Sequence, residues 1–191
     1  MPKHVWGVNY AYQKSVSYSQ YSIYKQCQYQ WYLNYIKKLK IFKPSVHLTF
    51  GTSFHETMQD WLKVMFEESA KKADEMDLAA LLKERMYENY KEALEEQKGE
   101  HFIKPNDFKE FIEDGITILD WIKKRRGEYF NLRTTKLIGI EIPIEQYIVE
   151  EIPNVIMTGS IDLIFFNKNT ETYEIYDIKT STKGWNDNDK K

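Results

Sequence analysis

Cysteine occurs once in the 191 residues of this chain, at Cys27. No intrachain disulfide can form, which fits a reducing compartment. Also missing is any run of roughly eighteen apolar residues, so no segment reads as membrane-spanning. Met1-Pro2-Lys3-His4 leads into no apolar signal-peptide core, and the expectation is a protein that stays in the cytoplasm and has no membrane partner. Internal repeats and low-complexity segments are absent too. With 42% apolar and 29% charged residues, the composition is that of an ordinary globular protein, and the length fits one domain with a sizeable core.

A further absence is local. Residues 1–50 hold no Asp or Glu but seven Lys, at positions 3, 14, 25, 37, 38, 40 and 43. That segment carries +7, leaving −9 for the remainder of a chain whose net charge is −2. It also holds eight of the fourteen Tyr, together with Trp6 and Trp31. Basic side chains attract phosphates and exposed aromatics stack on unpaired bases, so the segment is a candidate nucleic-acid surface. Lys37, Lys38 and Lys40 form its densest cluster. The competing reading is that the tyrosines belong to an ordinary amphipathic core.

Residues 1–16 read as an irregular, aromatic arm. From Ser19 to about Lys40, Ile23, Cys27, Trp31, Ile36 and Leu39 recur at helical spacing and predict one buried stripe. Cys27 is then a small buried hydrophobe and Ser19 a candidate helix cap. Pro44 ends that helix or its linker. A second helix is expected after Gly51, opened by the capping-box pattern Ser53-x-x-Glu56 and continued by Trp61, Leu62, Met65 and Phe66. Residues 69–98 predict an amphipathic helix with Leu78, Leu81, Leu82, Met86, Tyr90 and Leu94 on its apolar face. After a loop from Gly99 to Asn106, Asp107-x-x-Glu110 opens another helix, carrying Phe111, Ile112, Ile116, Leu119 and Ile122 and ending near Gly127.

Strand patterning begins at about Leu137. Ile138, Ile140, Ile142 and Ile144 alternate with Leu137, Gly139, Glu141 and Pro143, and the proline favours an edge or bulge. Apolar, β-branched runs over 155–166 and 172–180 complete an antiparallel meander of buried strands, joined by the polar turn Asn167-Lys168-Asn169-Thr170. Each run carries charge: Asp162 in Gly159-Ser160-Ile161-Asp162, then Asp177 and Lys179 beginning fifteen residues later. Charges inside a sheet are costly unless paired or bound to metal. Alternation puts Asp177 and Lys179 on one face with Tyr173 and Ile175. Two carboxylates and a lysine converging at a hairpin read as a hard-metal site with a cationic neighbour, which is the chemistry of phosphodiester cleavage. The plainer alternatives are a hydrogen-bonded strand Asp162 and an Asp177–Lys179 ion pair, and an exposed pair is worth only roughly 0–1 kcal/mol. The residues alone support a metal-binding phosphoester hydrolase and no finer statement.

Gly159-x-x-Asp162 with Asp177-x-Lys179-Thr180-Ser181 resembles the core signature of the PD-(D/E)XK nuclease superfamily. Gly51-Thr52-Ser53-Phe54-His55 resembles the Gly-x-x-x-His element preceding that core in RecB/AddB-type exonucleases and CRISPR-adaptation nucleases. Tyr18-Ser19-Gln20-Tyr21-Ser22, with Cys27 and Tyr32, resembles the Ser-rich aromatic helix at the start of the same group. Together the matches span residues 18 to 181.

The resemblance implies a single α/β (α+β-like) nuclease domain over residues 1–191. A mainly helical region, 1–135, would pack on the small mixed sheet of a restriction-endonuclease-like core. Residues 136–181 would form a β-meander carrying the active site, followed by a polar tail, 182–191. Implied catalytic residues are Asp162, Asp177 and Lys179. Implied metal ligands are Asp162, Asp177, the backbone carbonyl of Ile178 and His55, with Glu141 a further candidate. A place near a helix N-terminus would keep His55 in the neutral form that metals require. Tyr18, Ser19, Tyr21 and Ser22 would contact the DNA backbone beside Lys37, Lys38 and Lys40. The implied cofactor is Mg²⁺ or Mn²⁺. An iron–sulfur cluster usually needs four Cys ligands and is not expected from Cys27 alone.

RecB-like nucleases continue past the lysine with a helix carrying Gln-x-x-x-Tyr. Here the sequence turns polar and stops, so the expectation is either a chain truncated within the core or a missing element that comes from elsewhere. The function implied is a divalent-metal-dependent DNA nuclease, most simply an exonuclease of DNA repair, recombination or phage DNA processing in a bacterial or phage-infected cytoplasm. Its partners would be single- or double-stranded DNA ends and proteins of recombination or repair. The rival is a non-catalytic nucleic-acid-binding module or subunit on a degenerate or truncated nuclease fold.

Overall fold

Short polar side chains fix most of the helix starts in a computed structural model that describes residues 15–147 and 155–180. The Ser17 hydroxyl accepts from the Gln20 N–H at 3.2 Å, Ser45 from Leu48 at 3.3 Å, Ser69 from Lys72 at 3.1 Å and Asp77 from Ala80 at 2.9 Å. Each satisfies a backbone donor that the first helical turn leaves unpaired. The elements run β1 (Ser15–Ser17), α1 (Tyr18–Gln26), α2 (Gln28–Trp31) into a π-helical turn (Tyr32–Ile36), α3 (Val46–Glu67), α4 (Ala70–Glu75) and α5 (Leu78–Glu96). They continue with α6 (Pro105–Lys124), α7 (Arg126–Tyr129), β2 (Thr135–Tyr147), β3 (Ile156–Asn167) and β4 (Thr172–Tyr176). The architecture is the mixed α/β one expected, with a small four-stranded open sheet. Most of the expected arm and the whole of the polar tail lie outside the described residues. Among the described residues, no helix is long and apolar enough to cross a membrane.

The chain divides into two compact units, with boundaries after Phe42, Ile138 and Ile164. The first holds α1, α2, the π-helical turn and most of the sheet. Strand order is β1-β3-β2, and β1 runs parallel to β3 with Ser15 opposite Ile156, Val16 opposite Met157 and Ser17 opposite Thr158. The arm expected to be irregular therefore ends in a strand. β2 ends the row, and Pro143 tolerates that edge because it has no N–H to offer a neighbour. The expected single stripe over residues 19–40 does not form. Cys27 breaks the helix with extended backbone and is exposed, its sulfur accepting from the Gln30 N–H at 3.4 Å, and Leu39 is exposed as well. Only Trp31 is buried there, with Tyr24 edge-on to its ring at 5.4 Å. Ser17, rather than Ser19, caps α1.

The second unit is built on α3. Phe50, Phe54, Met58, Trp61, Leu62 and Met65 are buried along one stripe of that helix, as its 3.6-residue period requires. α5 adds Leu78, Leu82 and Met86, and α6 adds Ile112, Gly115 and Leu119. Phe165, at the end of β3, packs on Phe66 at 5.4 Å, Phe130 at 5.7 Å and Tyr176 at 5.4 Å. The helix expected over 69–98 is two helices, broken at Met76-Asp77, and α6 starts at Pro105 rather than at Asp107. The turn expected after β3 forms as an Asx-turn, the Asn167 side chain accepting from the N–H of Asn169 at 3.0 Å and of Thr170 at 3.4 Å.

Candidate metal centre

Alternation along β3 sends Leu163 and Phe165 into apolar surroundings and leaves Ser160 and Asp162 on the opposite face. The neighbouring strand β2 supplies Glu141, whose φ of 50° is left-handed backbone that L-residues rarely adopt. The strand kinks there. A Cβ on Gly139, two residues before Glu141, would lie 2.5 Å from Cδ1 of Ile142, so the Ile142 side chain packs over the bare glycine. The Ser160 hydroxyl donates to Glu141 Oε2 at 2.7 Å. One carboxylate oxygen of Glu141 and one of Asp162 lie within 4.8 Å of each other. Two carboxylates this close repel unless a proton or cation sits between them. Their hard oxygen donors fit Mg²⁺ or Mn²⁺ better than a soft metal.

In the second unit, β4 ends at Tyr176, and Asp177-Ile178-Lys179-Thr180 follow it outside any strand. This corrects the expectation of a buried strand running to Thr180. Tyr173, Ile175, Asp177 and Lys179 are all exposed. The Lys179 ammonium donates to Asp177 Oδ1 at 2.8 Å, so the ion pair weighed above is present. Ile178 turns its carbonyl to His55, whose Nε2 lies 2.5 Å away.

α3 explains how His55 gets there. Its N-cap is Ser45, so Gly51 lies inside the helix and the Ser53-x-x-Glu56 pattern opens nothing. Ser53 is instead buried, donates to the Thr49 carbonyl at 2.7 Å and accepts from Asn89 Nδ2 at 3.0 Å. His55 therefore sits well inside the helix rather than near its N-terminus, where the sequence pattern puts it. Gly51 and His55 are one helical turn apart and share a face. A Cβ at Gly51 would meet Thr180 Oγ1 at 3.2 Å. The Gly-x-x-x-His spacing thus lets the segment after β4 lie against the helix while the imidazole meets its backbone.

Among the described residues of the basic segment, Lys25, Lys37, Lys38, Lys40 and Lys43 are exposed. Lys37, Lys38 and Lys40 reach solvent, Lys38 in left-handed backbone at φ 54° just after the π-helical turn. Tyr18 and Tyr21 are exposed, Lys25 lies 5.8 Å from the Tyr21 ring centroid and Lys37 5.6 Å from that of Tyr32. Tyr29, Ile41 and Phe42 are exposed as well, which sets aside an all-core reading of this aromatic segment. Ser19 is exposed and Ser22 half-buried.

Two polar residues at these places went unread in the sequence, Ser160 and Asn89. Ser160 lies two residues before Asp162 and so on its face of the strand, a signal that alternation alone could have supplied. Asn89 carries no comparable signal, because its partners Ser53 and Glu56 are more than thirty residues away in the chain.

Comparison with curated proteins finds no match. The sequence profile of one family matches residues 15–191, a span that includes Glu141, Asp162, Asp177 and Lys179 as well as Gly51 and His55. The chain belongs to the PD-(D/E)XK nuclease superfamily.

Proposed function

We propose that this protein is a divalent-metal-dependent DNA nuclease of the RecB-like branch, acting as an exonuclease on single- or double-stranded ends. The observation that carries the reading is the Glu141–Asp162 pair, two carboxylates within 4.8 Å, in a chain of this superfamily whose sequence also carries Asp177-Ile178-Lys179. Asp162 and Asp177 would hold Mg²⁺ or Mn²⁺, with Glu141, His55 and the Ile178 carbonyl as the further ligands. When bound, the metal neutralises phosphate charge and acidifies water. Lys179 is the cation at the nucleophile. Its ammonium, held by Asp177, orients the attacking water by hydrogen bonding and stabilises the negative charge that grows on the phosphate oxygens. Lys37, Lys38 and Lys40 hold the DNA backbone, Ser19 and Ser22 donate to phosphates, and Tyr18 and Tyr21 offer stacking faces. The setting is cytoplasmic DNA repair, recombination or phage DNA processing, with partner proteins of those processes.

The test is calorimetric titration of Mn²⁺ into the chain and its Asp177→Ala variant, followed by digestion of end-labelled and circular DNA. The reading expects Mn²⁺ binding that the variant loses, and degradation of linear but not circular DNA. Mn²⁺ binding absent from the unsubstituted chain would sink it. DNA binding without metal binding would favour the non-catalytic module.

A further inference from the structure

We infer that Ser160 is a positioning residue, holding the Glu141 carboxylate beside Asp162 so that Glu141 acts as a preorganised metal ligand; this rests on the metal-centre reading above. Glu141 is exposed on the edge strand β2, where a long side chain ordinarily samples many rotamers and seldom keeps one. Here two features restrain it. The backbone at Glu141 is left-handed, at φ 50°, and the Ile142 side chain next to it packs over the bare Gly139. Strained backbone of this kind concentrates at functional sites. The side chain in turn takes the Ser160 hydroxyl at 2.7 Å, a charge-assisted hydrogen bond. Ser160 and Asp162 leave β3 on the same face, two residues apart, so one strand supplies both the donor that holds Glu141 and the carboxylate that lies beside it.

A simple cross-strand hydrogen bond on an exposed edge does not account for the kink, since an unkinked strand could present the same pair. The kink makes sense if the carboxylate must be delivered to one place. Outer partners of metal ligands act in this way, and removing one typically weakens metal binding by about 10–100-fold.

The test uses two variants of nearly equal shape in the full chain, Ser160→Thr and Ser160→Val, both good strand formers, of which only the first keeps a hydroxyl. Mn²⁺ titration should find Ser160→Thr close to the unsubstituted chain and Ser160→Val about 10-fold weaker. The melting temperatures of the two should agree. Glu141→Ala, which leaves no acceptor for the Ser160 hydroxyl, should weaken binding more, and adding Ser160→Val to it should weaken binding no further. Equal affinities for the Thr and Val variants would overturn the inference, as would an undiminished effect of Ser160→Val in the Glu141→Ala background. If the unsubstituted chain binds no Mn²⁺, the metal-centre reading fails first and the inference falls with it.

Discussion

His55 Nε2 and the carbonyl oxygen of Ile178 lie 2.5 Å apart, although 123 residues separate them in the chain. A carbonyl can only accept, so the imidazole presents an Nε2–H to it. Both atoms are ligands in the proposed function, and a cation that takes both must replace that proton. Metal and proton therefore compete for one nitrogen.

Gly51 lies against the same segment, beside Thr180, and that yields the first prediction. A Leu side chain at position 51 begins with a Cβ 3.2 Å from Thr180 Oγ1 and would push the segment after β4 away from α3. Gly51→Leu and His55→Ala should each weaken Mn²⁺ binding by about 10-fold or more. Far-ultraviolet circular dichroism should show α3 intact in both. Unchanged affinity in the leucine variant would mean that the close approach is packing alone.

Lys179 separates chemistry from binding. Its ammonium is exposed and pairs with neighbouring Asp177, so its removal disturbs no core. Lys179→Ala should lower single-turnover DNA cleavage by about 10²–10³-fold, the usual loss for one positioned electrostatic group. Gel-shift affinity for DNA should change little.

The apolar stripes of α3, α5 and α6, the edge proline and the Asn167 turn were legible in the sequence, whereas the helix starts and breaks were not. The acidic positions were legible as chemistry but not as local structure. Asp177 lies in a run that alternates like a strand, yet pairing stops at Tyr176, and no local pattern reports where a sheet runs out of partners. The Cys27 break is similar: helical spacing continues through it, while its backbone is extended. The Glu141 kink was hidden because Ile138, Ile140, Ile142 and Ile144 alternate as if β2 were regular. In the structure Ile138 and Ile144 are exposed, so the isoleucine spacing did not mark a continuous buried face.

The basic segment carries a prediction that salt reads directly. A lysine that neutralises a phosphate releases a counterion, so log K falls with log salt by about 0.7–0.9 for every phosphate engaged. Lys37→Ala, Lys38→Ala and Lys40→Ala together should weaken DNA binding across all sequences. They should flatten the salt slope by about 2–3, with no change in Mn²⁺ affinity. An unchanged slope would remove these lysines from the DNA surface.

Gly115 is a packing requirement rather than a flexible point. It is buried in α6, and a Cβ there would lie 2.6 Å from Leu82 Cδ2 and 2.7 Å from Phe50 Cε2. Alanine gains about 1 kcal/mol of helix propensity but overpacks a core, which costs about 1–3 kcal/mol. The rigid Phe50 ring has little room to yield. Gly115→Ala should therefore come out destabilising by about 1 kcal/mol, lowering the melting temperature by about 2–4 °C.

Tyr176 gives the fold a pH dependence at the alkaline end. Burial disfavours its phenolate, and the charge of Glu174 and its hydrogen bond at 3.2 Å act in the same direction, so its pKa lies above the usual tyrosine value. A group whose pKa is raised by folding lends stability that is fully present below its unfolded pKa, about 10 for tyrosine. That stability is lost as pH rises through the folded value. Urea unfolding between about pH 9 and pH 11.5 should show the unsubstituted chain losing stability more steeply above about pH 10 than Tyr176→Phe. The two proteins share every other side chain, so the difference between the curves isolates this one. Parallel curves would mean that Tyr176 ionises as freely in the folded chain as in the unfolded one, and that the edge contact with Phe165 at 5.4 Å does not keep water from the phenol.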